Sequence, residues 1–133
     1  MRAVVKAAVA YFAVAFATGF VLGSIREIVV VPRLGGLAAV AIEAPIMLAI
    51  SWIAATRIVR RCAVPADAAV RLAMGGLAFV LLQAAEVALA SALGTSPVAY
   101  AEAFATPRGL LGLAAQILFA IIPLFVDRGA SRR

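Results

Sequence analysis

Histidine is absent from this chain of 133 residues, and so is asparagine. Without histidine the sequence lacks the usual general base and the commonest haem and zinc ligand. A Ser-His or Cys-His nucleophilic centre is excluded with it. Cysteine occurs once, at Cys62, which rules out an internal disulfide and a structural zinc site. No catalytic residue, cofactor or metal is therefore expected, and the chain is not read as an enzyme; only carboxylate chemistry stays open. Charge is scarce as well. Charged residues are 14% of the chain and hydrophobic residues 66%, with a mean hydropathy of +1.14. A soluble domain is typically about half apolar and a quarter charged. These polar groups are too few to cover a wet surface, and the same shortage excludes disorder. What remains is an integral membrane protein, whose first partner is the lipid bilayer.

The charge that is present is mostly arginine. Lys and Arg number 12 against 6 Asp and Glu, a net +6. The arginines sit between apolar runs, where they act as topology signals. No basic stripe with interleaved aromatics occurs, so nucleic acid is not an expected partner.

A bilayer crossing needs about 20 mostly apolar residues. Four stretches qualify, at about 4–31, 36–56, 70–93 and 109–126. Pro32 with Gly35-Gly36, the segment from Arg57 to Pro65, and the run from Gly94 to Gly109 separate them. Ser96 is placed to cap a short helix over 97–104, suited to lying along the membrane interface. The start, Met1-Arg2 with Lys6 and then Ala15-Phe16-Ala17, has signal-peptide features. Its apolar run continues through Gly23, so an uncleaved helix is expected. The fold expected is a single all-α domain over 1–133, an integral-membrane four-helix bundle. Nine Lys and Arg fall at the N-terminus, the middle loop (with Arg71) and the C-terminus (Arg128, Arg132, Arg133), against three (Arg26, Arg33, Arg108) in the other two connections. The positive-inside rule then places both termini in the cytoplasm.

Ionisable groups in hydrocarbon cost about 2.5–3.5 kcal/mol each on insertion scales, so they are read as functional candidates. Glu43, Glu86 and Gln116 each lie seven residues inside their span, roughly 10 Å deep at 1.5 Å per residue. Gln83 shares the face of Glu86 one turn deeper. If the first helix runs on to Val31, Arg26 lies roughly 7 Å deep, where a guanidinium needs carboxylates. A pairing of Arg26 with Glu43, Glu86 or both is expected, while Glu27 should point about 100° away, toward the outer surface. Such groups serve equally as glue between helices.

Small residues suggest close helix packing. Gly19 and Gly23 form one face of the first span, and Gly109 and Gly112 precede Gln116 on the fourth. Pro45 frees the carbonyl near Ala41 and is placed to bend the second span beside Glu43.

The run Pro32-Arg33-Leu34-Gly35-Gly36, then Glu43-Ala44-Pro45-Ile46-Met47, Ser51-Trp52 and Arg60-Arg61, resembles a group of small four-helix inner-membrane proteins of Gram-negative bacteria that carry no assigned function. The resemblance covers the first two spans and implies a bacterial inner membrane, with no activity attached. Small multidrug exporters carry their glutamate in span one, where this chain has none at mid-depth. Fluoride channels carry an asparagine that this chain lacks. Two roles follow. One is a structural or accessory protein whose Arg/Glu/Gln cluster fixes the bundle, as a homodimer or with a larger membrane partner. The other is a small transporter or channel for protons or a cationic or polar substrate. Four spans should enclose little interior, so an aqueous path is expected to require a dimer.

Overall fold

A computed structural model describes residues 1–127; Arg128, Arg132 and Arg133 lie outside the described residues. These form five helices and no strand. Helix α1 spans Arg2–Leu34, α2 Gly36–Arg61, α3 Ala68–Ala92, α4 Pro97–Ala103 and α5 Pro107–Phe125. Four of them, α1, α2, α3 and α5, are long and apolar enough to cross a membrane.

Local chemistry sets the boundaries. Helix α1 opens into one π-turn over Arg26–Val30 and closes with a last turn over Val31–Leu34. The wide turn lies directly before Pro32, whose ring would strike the carbonyl four residues back in a regular helix. Gly35 alone joins α1 to α2. Its φ of +83° reverses the chain at a conformation open chiefly to glycine. Helix α2 runs five residues past the expected end at 56, because Ile58 and Val59 extend the buried face. Helix α3 begins at Ala68, two residues before the expected start at 70, because the Asp67 carboxylate accepts the Val70 N–H at 3.0 Å. It ends on Gly94, where the Thr95 N–H reaches back to the Ala90 carbonyl at 2.8 Å. Ser96 and Thr106 cap α4 and α5, each followed by proline in the first turn.

The four long helices form a square in which α1 contacts α2 and α3, and α5 contacts α2 and α3. Consecutive helices α2 and α3 thus occupy opposite corners, and connection 62–67 crosses the base diagonally. Helix α4 lies against α3 at the other end. The main buried cluster fills the basal half, around Ala7, Tyr11, Ala55, Met74, Phe119 and Ile122. Outward faces are apolar: Val21, Ile53, Val80 and Ile117 are all exposed, as expected of helices facing lipid.

At the base, Pro123 supplies no N–H, so the Phe119 carbonyl four residues back has no helical donor. The Tyr11 hydroxyl donates to that oxygen at 2.7 Å, with its ring stacked on Phe119 at 4.2 Å. The buried Ser51 lies against the same hydroxyl. Arg71, counted above as a loop charge, is instead buried in α3. Its guanidinium donates to the carbonyls of Val64, Pro65, Pro123 and Val126 at 2.8–3.2 Å. It binds the α2–α3 connection to the end of α5. Nearby, Arg60 pairs with Asp127 at 3.2 Å.

Candidate functional site: a polar-lined cavity at one end of the bundle

Opposite the packed base, the four long helices and α4 surround a cavity of about 680 Å³. The helices of one chain therefore border more open space than expected. The reason lies in the small residues. Gly19, Gly23 and Gly112 all line the cavity. A Cβ on Gly112 would meet nothing within 4 Å, and one on Gly19 only the Met47 methyl at 3.9 Å. At these positions the missing side chains vacate space between the helices. Gly23 lies under the Arg26 guanidinium, 3.5 Å from where a Cβ would stand. Gly109 does mark a close approach, since its Cβ would fall 2.0 Å from the Ala103 carbonyl oxygen of α4. Pro45 is exposed on the outward face of α2, inside a helix unbroken from Gly36 to Arg61.

Four of the five polar residues singled out in the sequence, Arg26, Glu43, Glu86 and Gln116, line this cavity. They form two separate groups. In the first, Arg26 donates to Glu43 at 2.5 Å and to Glu27 at 3.3 Å. Arg108, whose side chain lies across Gly36, also donates to Glu27. The arginine thus chooses Glu43 over Glu86, and Glu27 does not point away: it bridges Arg26 to Arg108. The π-turn, winding more residues per turn than a regular helix, lies at this point and contains both Arg26 and Glu27. The charged chain Glu43–Arg26–Glu27–Arg108 joins α2, α1 and α5.

The second group is centred on Glu86. Its carboxylate accepts from the Tyr100 hydroxyl at 2.7 Å and from the Gln116 amide at 2.8 and 3.0 Å. Gln83 lies behind Gln116 and donates to its carbonyl at 2.5 Å. The shared depth read for Glu86 and Gln116 thus corresponds to direct bonding between α3 and α5. Burial, followed by the hydrogen bond to Glu86 and its negative charge, raises the Tyr100 phenol above its ordinary value. Tyr100 and Phe104 meet edge to face at 5.2 Å on the cavity wall. Among the described residues, no buried side-chain nitrogen or oxygen lacks a partner, and no group of three metal-ligating side chains occurs.

No protein family, curated protein or solved structure matches the chain. The site therefore rests on its own geometry. Sequence reasoning missed Tyr100 as a partner of Glu86, Arg108 and Glu27 as parts of the charged chain, and Arg71 as a buried clamp. It also missed Gly75, where a Cβ would fall 1.7 Å from the Ala120 carbonyl oxygen, a close approach of α3 to α5. The pair Gly75-Gly76 in an apolar helix was the available signal, since glycine weakens a helix by about 1 kcal/mol unless packing requires it.

Proposed function

We propose that this chain is a multi-pass protein of the bacterial inner membrane that admits a small polar or cationic molecule, or a proton, into its cavity from the periplasmic side, as a small transporter or channel does. The carrying observation is that Glu86, Gln116, Arg26 and Glu43 line open space. A cluster serving only to hold helices together would be sealed by side chains. The orientation is supported by charge. The basal end holds Arg2, Lys6, Arg57, Arg60 and Arg61, of which Arg60 pairs with Asp127. Against them stand Arg26, Arg33 and Arg108 at the cavity end, of which Arg26 and Arg108 are engaged by glutamates. This excess is the bias that fixes topology. In this reading the cavity faces the periplasm, and the packed base around Tyr11, Phe119 and Arg71 is the barrier to be opened. The charged chain that joins α1, α2 and α5 favours a second role, that of an accessory protein held rigid for a partner.

Thiol chemistry separates the two. In a Cys62→Ala background in lipid nanodiscs, Gly112→Cys is expected to react readily with N-ethylmaleimide, while lipid-facing Ile117→Cys stays unreactive. An unreactive Gly112→Cys in folded protein would overturn the open-cavity reading and leave the accessory role.

A further inference from the structure

The charges on the cavity wall do not balance. Two arginines, Arg26 and Arg108, face three glutamates, Glu27, Glu43 and Glu86. Both guanidinium groups make their ion pairs with Glu27 and Glu43. Glu86 receives hydrogen bonds from the neutral Tyr100 and Gln116, so it is the one carboxyl group of the cavity wall without an ion-pair partner among the described residues. Around it the wall is mostly hydrocarbon and aromatic, with Phe16, Phe20 and Phe104 among its residues.

We propose that the cavity is a receptor for an organic monocation with an apolar body, an amine or quaternary ammonium, with its charged head against Glu86. This deepens the reading given under Proposed function and rests on it. Each part of the ligand has a counterpart. The head meets the Glu86 carboxyl, which is bonded to the Tyr100 hydroxyl, on a wall that Tyr100 and Phe104 also line, and aromatic rings attract cations. The body fills the space vacated by Gly19, Gly23 and Gly112. The volume of about 680 Å³ lies within the roughly 300–1,000 Å³ of small-molecule sites. A divalent metal ion fits poorly, because it wants several oxygen ligands and only one uncompensated carboxylate is present. An anion would meet Glu86 while both arginines are already engaged. Gln83 and Gln116 act as positioning residues: the first fixes the amide of the second, which fixes the carboxylate.

The test uses Gly112→Cys in the Cys62→Ala protein in nanodiscs and measures protection of the thiol from N-ethylmaleimide. The probes are benzyltrimethylammonium and phenylmethanesulfonate, one aromatic body with opposite charges. The cation is expected to slow labelling and the sulfonate to leave it unchanged. Adding Glu86→Gln, which keeps an acceptor for Tyr100, should raise the cation concentration needed for equal protection by about tenfold or more, a loss of at least about 1.4 kcal/mol. Equal protection by both probes, protection by neither, or unchanged protection in Glu86→Gln would overturn the monocation proposal while leaving the open cavity standing. Absence of labelling without any probe would overturn the cavity reading itself. If Glu86→Gln fails to fold, the comparison of the two probes on the Glu86-containing protein still decides.

Discussion

Arg71 gathers four main-chain oxygens from two separate stretches of chain, Val64–Pro65 and Pro123–Val126. A planar fork with five donors suits that set, whereas a lysine ammonium is a compact point charge with three. Arg71→Met is expected to lower stability by at least about 3 kcal/mol, since each orphaned buried group costs about 1–3. Arg71→Lys should recover less than half of that loss, as read by unfolding in mixed micelles. Tyr100 carries a different prediction. Its phenol is raised in the folded state above the ordinary value of 10.0, so the neutral form is favoured there. The stabilisation is therefore complete below about pH 10 and is lost as pH rises above it. Unfolding measured against pH should show this alkaline loss in the wild type and a smaller one in Tyr100→Phe. Glu43, Glu86 and Gln116 were legible in the sequence because polar groups inside apolar runs are costly and conspicuous. Arg71 was not, because an arginine one turn into a span reads the same as a loop charge. Only the folded chain brings its carbonyls together.

Among the helices, glycine plays two opposite parts. At Gly75 the absent Cβ lets α3 touch the Ala120 carbonyl of α5, and at Gly112 it leaves an empty space. Gly75→Ala should therefore cost about 1–3 kcal/mol through forced separation of the helices. Gly112→Ala, which meets no neighbour, should stabilise by up to about 1 kcal/mol through helix propensity alone. Thermal unfolding of the two variants checks the contrast in sign. The sequence showed that small residues recur at helical spacing, but not whether each one admits a neighbouring helix or leaves a void. That depends on what the facing helix presents. Pro123 makes a second pair-specific case. Tyr11→Phe strips the Phe119 carbonyl of its donor and should cost about 1–3 kcal/mol. In a Pro123→Ala background, where a backbone N–H returns, the same change should cost clearly less. A double-mutant cycle on the pair measures the difference.

The molecule as a whole divides into a packed base and a hollow end. Its four apolar spans and their approximate limits were legible because crossing length and turn chemistry are local properties. The square arrangement was not, since nothing local tells that α2 and α3 take opposite corners. That arrangement depends on connection 62–67 lying across the base beneath α5, with Arg71 gripping both. Arg71 thereby ties the making of the protein to its chain order. Of its acceptors described above, Pro123 and Val126 are synthesised after Val64 and Pro65. A chain cut after Phe104 would present α3 to the membrane with an arginine still short of its partners in α5, which disfavours its insertion. In glycosylation-site mapping, α3 should enter the bilayer less completely in that truncated chain than in the full one. Helix α5 would then decide when α3 settles in the bilayer, although it is made later.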